Sequence, residues 1–289
     1  MSYRFHATVT ISKRRIFETF ISPALYAAIT IGLLLGYFLV SGFVHAVDSS
    51  GLNYFLNPVY ELIARSLAGT FGDTYVIKLF AEGPFLFAFN VAFLPFLLYL
   101  AVSSVYRFGF EKNVGALELL MYGPADGTSC FLAFMIRNMV FTLLYSAILL
   151  LFFWITALLS NMVLGPQFFY GFIMILFLAL AVYAYGILTA VLSRNGSVGT
   201  ALFAGIVVFL LLIQMGSYTI VTGYVRNLST VLASIIKWIS PLHYWTQALS
   251  YMEYGFIGGF LLSILFLILL TAVLLLVSHF IIRSRGVRE

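Results

Sequence analysis

The side chains able to do covalent or metal chemistry are few and far apart. Four histidines, His6, His45, His243 and His279, stand on separate segments, so no pair has the spacing of metal ligands, and the lone Cys130 excludes a thiolate cluster or an internal disulfide. Ser146 and Ser217 have no histidine placed to act as a base, and hydroxyls in such runs bond the carbonyls of their own helix. A phosphate-cradling Walker loop ends in Lys-Ser or Lys-Thr. Here Lys13, Lys78, Lys112 and Lys237 are followed by Arg14, Leu79, Asn113 and Trp238, so the chain has no such loop. No Asp or Glu lies near the centre of a long apolar run, where ion-coupled transporters place ionisable groups, although broken backbone can also bind sodium. What remains is polar and non-catalytic: Asn90, Ser103, Gln214 and Ser217, of which the two amides most need partners in an apolar setting.

The elements that must position these residues follow from composition. The 289 residues are 63% hydrophobic and 9% charged, against about 25% charged in a soluble domain. Twenty-five charges cannot cover a soluble core, and the mean hydropathy of +1.08 suits lipid as the solvent. A soluble enzyme and a nucleic-acid binder are both excluded, because a basic excess of five in such a chain serves orientation and lipid headgroups. About 20 apolar residues cross a bilayer core. The charge-free stretches predict an all-α polytopic membrane protein with six spans, at about 23–46, 84–106, 131–159, 167–192, 197–222 and 256–282. Residues 23–289 form one membrane domain, preceded by an amphipathic interface helix over 1–22 in which Lys13, Arg14 and Arg15 interrupt an apolar stripe. Eleven cations fall on one side of this layout and only Arg65, Lys78, Arg226 and Lys237 on the other, which puts both termini in the cytoplasm.

Two external segments stand out, the first by its length and the second because it is too apolar for an ordinary loop. Residues 47–83 carry an amphipathic pattern that suits a helix on the outer surface, acting as a lid, a docking site or simple packing. Residues 227–252, broken at Ser240-Pro241, predict a hairpin dipping into the outer leaflet, with His243 beside Tyr244 and Trp245 as an interfacial anchor. Span 5 opens with Gly196, Thr200 and Ala204 at every fourth position, and Ala201 and Gly205 repeat the spacing. Small residues so arranged allow close helix approach, between two copies or within one.

The loop between spans 2 and 3 is the most informative. Val114, Leu117, Leu120 and Met121 recur at helical spacing with Glu111 and Glu118 on other faces, until Gly123-Pro124 stops the helix and Asp126 stands ready to cap the next. A short amphipathic helix over about 110–122 either rests on lipid or inserts into a groove of a soluble protein.

The pattern Glu111, Gly115-Ala116-Leu117-Glu118-Leu119-Leu120 and Pro124 resembles the loop of the ABC-2 permeases, the membrane subunits of type 2 ABC exporters. That loop reads as an acidic residue, Gly-Thr-Leu-Glu-x-Leu and a proline turn. Ser22-Pro23-Ala24-Leu25-Tyr26 is similar to the opening of span 1 in the gliding-motility-type subgroup. Ser193-Arg194-Asn195 and Ser240-Pro241-Leu242-His243-Tyr244 resemble the family's turn after span 4 and its motif before the last span. Ala116 replaces the usual Thr, and the Gly-Lys common at the start of span 3 is missing.

The resemblance implies a multi-pass subunit of the bacterial inner membrane that exports cargo and is not itself an enzyme. It would work as a homo- or heterodimer of permeases, with two copies of a separate cytoplasmic ATP-binding subunit that holds ATP and Mg. The chain itself would carry no cofactor or metal. Residues 110–122 would be the coupling helix, with Glu111 and Glu118 as polar contacts and Leu117, Leu120 and Met121 as apolar ones. Spans 1, 2 and 5 would line the path. The rival expectations are an ion-coupled secondary transporter and a non-transporting transducer on the same frame.

Overall fold

The computed structural model describes residues 2–50, 84–115, 117, 127–160, 164–220 and 237–285. Every described element is helical: α1 (Ser2–Phe20), α2 (Pro23–Ser50), α3 (Pro84–Asn113), α4 (Gly127–Leu159), α5 (Pro166–Leu192), α6 (Gly196–Ile220), α7 (Pro241–Glu253) and α8 (Ile257–Arg285). Five of them, α2, α3, α4, α5 and α8, are long and apolar enough to cross a membrane. The chain is therefore an all-α, multi-pass membrane protein. Helix α6 is 25 residues long, and its stretch Gly196–Leu212 is apolar as well.

Helices α3 and α5 are central, with 61% and 67% of their apolar windows buried, against 33% for α2, α4 and α8. The core between α3, α4 and α5 is built from rings. Phe85, Phe89, Phe93 and Phe96 form one stripe of α3, and Phe89 meets Phe153 of α4 and Phe168 of α5 at centroid distances of 6.2 and 5.5 Å. Phe96 stacks on Tyr145 at 4.1 Å. Pro95 has no N–H for the Val91 carbonyl, and beside that interruption the Tyr145 hydroxyl donates to the Ala92 carbonyl at 2.9 Å. Helix α2 closes on this point through Gly32, where a Cβ would collide with the Tyr145 hydroxyl and the Ala92 carbonyl oxygen. Gly36, one turn on, faces Ala92 and Phe153. Small residues four apart thus let α2 lie on α3, a use of that spacing not anticipated for this helix.

Three boundaries differ from expectation. Helix α3 runs seven residues past 106, because Arg107, Glu111 and Lys112 find partners on neighbouring elements and need not mark its end. It stops at Asn113, where Gly115 adopts φ +74 and its N–H bonds the Lys112 carbonyl at 3.2 Å, a left-handed cap that suits glycine. The range 110–122 is therefore not one helix, and Glu111 belongs to the last turn of α3. Helix α2 continues through Asp48–Ser50, which the polar run suggested was loop. The rest of the 47–83 segment lies outside the described residues, as does the first part of the 227–252 hairpin.

The described part of that hairpin is one helical turn at Lys237–Ile239, the break at Ser240 and then α7. Trp238 packs on Phe266 of α8 at 5.7 Å. Phe266 lies nine residues into α8, or about 14 Å along its axis. Unpaired backbone at such depth would be costly, and here each carbonyl around the break has a donor. Tyr185 bonds Ile239 O at 2.6 Å and Tyr244 bonds Trp238 O at 2.7 Å. The N–H groups of Ser240 and His243 bond the carbonyls of Lys237 and Ser240.

Candidate functional site

The largest polar cluster among the described residues joins α1, α3 and α4. Helix α1 turns a polar stripe inward: Thr8, Ser12, Arg15 and Thr19 are buried at spacings of four, three and four. Arg15 pairs with Glu111 in the last turn of α3 and, at 3.2 Å, with Glu18. Glu18 also receives Arg14 at 2.8 Å and Arg107 of α3 at 3.4 Å, so one carboxylate gathers three guanidinium groups. Partial burial raises the Glu18 pKa, but the Arg14 hydrogen bond and the charges of Arg15, Arg14 and Arg107 outweigh it and hold the carboxyl below its usual value.

Deeper lies Arg137 of α4, fully buried and with no ion pair among the described residues. Neutral acceptors satisfy it instead. Its Nη2 donates to Asn138 Oδ1 at 2.6 Å, Ser104 Oγ at 2.7 Å and Ser103 Oγ at 3.0 Å, and its Nε reaches Asn138 Oδ1 at 3.0 Å. The Asn138 amide in turn donates to Ser104 Oγ at 2.8 Å. Phe134 lies between the Arg15 and Arg137 guanidinium groups, 4.9 and 5.5 Å from its centroid, so its π-face offsets some of the burial cost of both.

A second junction ties α3 to the α5–α6 turn. Lys112 Nζ donates to the carbonyls of Val191 and Ser193 at 3.2 and 3.0 Å, capping the end of α5 with a cation. Beside it Gly109 and Gly196 let α3 and α6 touch backbone to backbone, since a Cβ on Gly109 would sit 2.6 Å from the Gly196 Cα.

The sequence-predicted residues are distributed as follows. Glu111 does not face outward but is half-buried against α1, with Oε2 lacking a hydrogen-bond partner among the described residues. Leu117 is buried in the core, and Gly115 forms the turn before it. Glu118, Leu120, Met121 and Pro124 lie outside the described residues, as do the side chains of Gln214 and Ser217. Ser103 belongs to the Arg137 network. Asn90 is buried and donates to the Leu86 carbonyl of its own helix at 2.8 Å, and to no other helix among the described residues. The row of small residues on α6 divides. Gly196 is spent on the contact with α3 inside this chain, and Thr200 bonds the Gly196 carbonyl at 2.9 Å. Ala201, Ala204 and Gly205 are exposed. His243 packs edge-on against Trp238 and Tyr244. No group of three His, Cys, Asp or Glu able to hold a metal occurs among the described residues.

The Arg137 network, the convergence on Glu18 and the Lys112 cap were not anticipated from sequence. The available signal was Arg137-Asn138 inside an otherwise apolar run, opposite the Ser103-Ser104 pair. A comparison with protein-family models finds no match. Searches of curated proteins and of solved structures find none either.

Proposed function

We propose that this chain is the membrane subunit of a type 2 ABC exporter. It would cross the bacterial inner membrane six times through α2, α3, α4, α5, α6 and α8, with both termini in the cytoplasm. Two such subunits would form the path, and two copies of a separate subunit would bind and hydrolyse ATP with Mg. The support is the order of four family-like motifs along a multi-pass helical chain, together with one mechanical feature. The segment from Gly115 to Pro124, where an ATPase would dock, leaves α3 directly after Glu111 and Lys112. Those two side chains tie the end of α3 to α1 and to the α5–α6 turn. A push on the segment would therefore move several helices as a body, which is what passing nucleotide-driven closure to a path requires.

Glu118 and the apolar residues Leu120 and Met121 serve in this reading as the docking face, while Leu117, expected there from sequence, is buried in the core and anchors the segment to the helices, and Glu111 transmits through Arg15 and does not itself touch the ATPase. The test is co-purification with an ATP-binding subunit encoded beside this chain, followed by ATPase and transport assays in proteoliposomes. Glu118→Arg is expected to leave ATP hydrolysis running while transport falls at least about tenfold, the scale of losing roughly 1.4 kcal/mol of coupling. Uptake driven by a proton or sodium gradient with this chain alone would refute the proposal and select the secondary transporter.

A further inference from the structure

Helix α1 is amphipathic in an unusual sense, because its protein-facing stripe is polar while its outward face is polar and charged over 10–14 and apolar towards its C-terminal end. Opposite Thr8, Ser12, Arg15 and Thr19, the exposed side carries Thr10, Lys13, Arg14, Phe17 and Ile21, at spacings that keep them on one face. Phe17 and Ile21 are 67% and 64% exposed, and the Arg14 side chain is 75% exposed. The order along the axis matters. Phe17 and Ile21 lie next to Pro23, the first residue of the α2 span, and the two cations come one to two turns earlier. Arg15 meets Phe134 and Phe20 meets Phe141, so α1 runs alongside α4 rather than flat beneath the bundle. On α4 the same level exposes Leu132, Ile136 and Val140, as a lipid-facing surface would.

The charges point the same way. Arg14, Arg15, Arg107 and Arg137 are met by only Glu18 and Glu111 among the described residues of the cluster, and Lys13 adds a further cation at its edge. Water solvates such an excess cheaply. At a bilayer boundary the available counter-charge is the phosphate of a lipid.

We infer that the outward face of α1 is a seat for an anionic phospholipid, with the phosphate at Lys13 and Arg14 and an acyl chain along Phe17 and Ile21. The inference needs only the membrane architecture and stands apart from the transport reading. Full-length protein in nanodiscs formed from equimolar phosphatidylglycerol and phosphatidylcholine, with retained lipid counted by native mass spectrometry, tests it. Phosphatidylglycerol should be enriched in the wild type, and Lys13→Gln with Arg14→Gln should lower that enrichment about fivefold for each cation removed. Lys13→Gln alone, at an exposed position, guards against misfolding of the double variant. Enrichment unchanged in both variants overturns the inference. Independently, Phe17→Cys in a Cys130→Ala background, labelled with an environment-sensitive dye, should emit as in hydrocarbon. Water-like emission, or shielding that needs a second copy or a soluble protein, would overturn it too.

Discussion

At the scale of single residues, the most unusual group is Arg137, a buried guanidinium whose Nε and Nη2 are met by neutral acceptors, with no ion pair among the described residues. Removing a cation from low dielectric recovers its desolvation cost, but it takes the guanidinium donors from Asn138 Oδ1, which keeps the Ser104 hydroxyl at 3.0 Å, and leaves both serines with fewer donors. Arg137→Met should therefore destabilise by about 1–3 kcal/mol, the cost of leaving buried polar groups unpaired. A melting curve in detergent that matches the wild type would show that the network is dispensable. Glu18 carries the pH dependence. Its folded-state pKa is depressed below 4.5, so its stabilising contribution is complete above that value and disappears as pH falls through the folded-state pKa. Glu18→Gln should melt lower than wild type near neutrality, and the two curves should converge in acid. A difference that persists unchanged at pH 3 would mean that the three arginines are not what Glu18 contributes.

Among elements, the helix contacts rest on glycines at particular places, and the consequences differ sharply between them. Gly32 has no room for a side chain, so Gly32→Leu must push α2 off α3 or displace Tyr145, with a loss of about 1–3 kcal/mol or more. Gly205 has nothing within 4 Å of a built Cβ. Gly205→Ala should leave folding intact or improve it by up to about 1 kcal/mol through helix propensity. If the exposed small residues Ala201, Ala204 and Gly205 form the face between two permeases, Gly205→Leu should shift the protein from dimer to monomer in light scattering without lowering its melting temperature. A dimer that survives this change would move the interface elsewhere.

For the whole molecule, the proposed six-span layout makes a geometric demand: Thr10 and Ser284, near opposite ends of the chain, lie on the same side of the membrane. In a Cys130→Ala background, Thr10→Cys and Ser284→Cys should both react with an impermeant maleimide only when the cytoplasmic face is open. Labelling from opposite faces would break the topology and the export proposal with it.

Much of this architecture was legible without coordinates. Apolar runs of fixed minimum length must be helical in lipid, since no water is there to satisfy the backbone, so the presence and approximate limits of the long apolar helices follow from where charges are absent. The break at Ser240-Pro241 was legible for the same reason. Side-chain partnership was not. Whether Glu111 faces a docking protein or Arg15, and whether Gly196 meets another copy or Gly109, depends on how helices distant in the chain rotate about their axes and cross. Local residue pattern sets which faces are apolar or small, but which face meets which neighbour is settled by packing all the helices at once. Hence the charges at 107–112, which on sequence grounds end a span, turn out to extend α3 and tie it to α1 and α5.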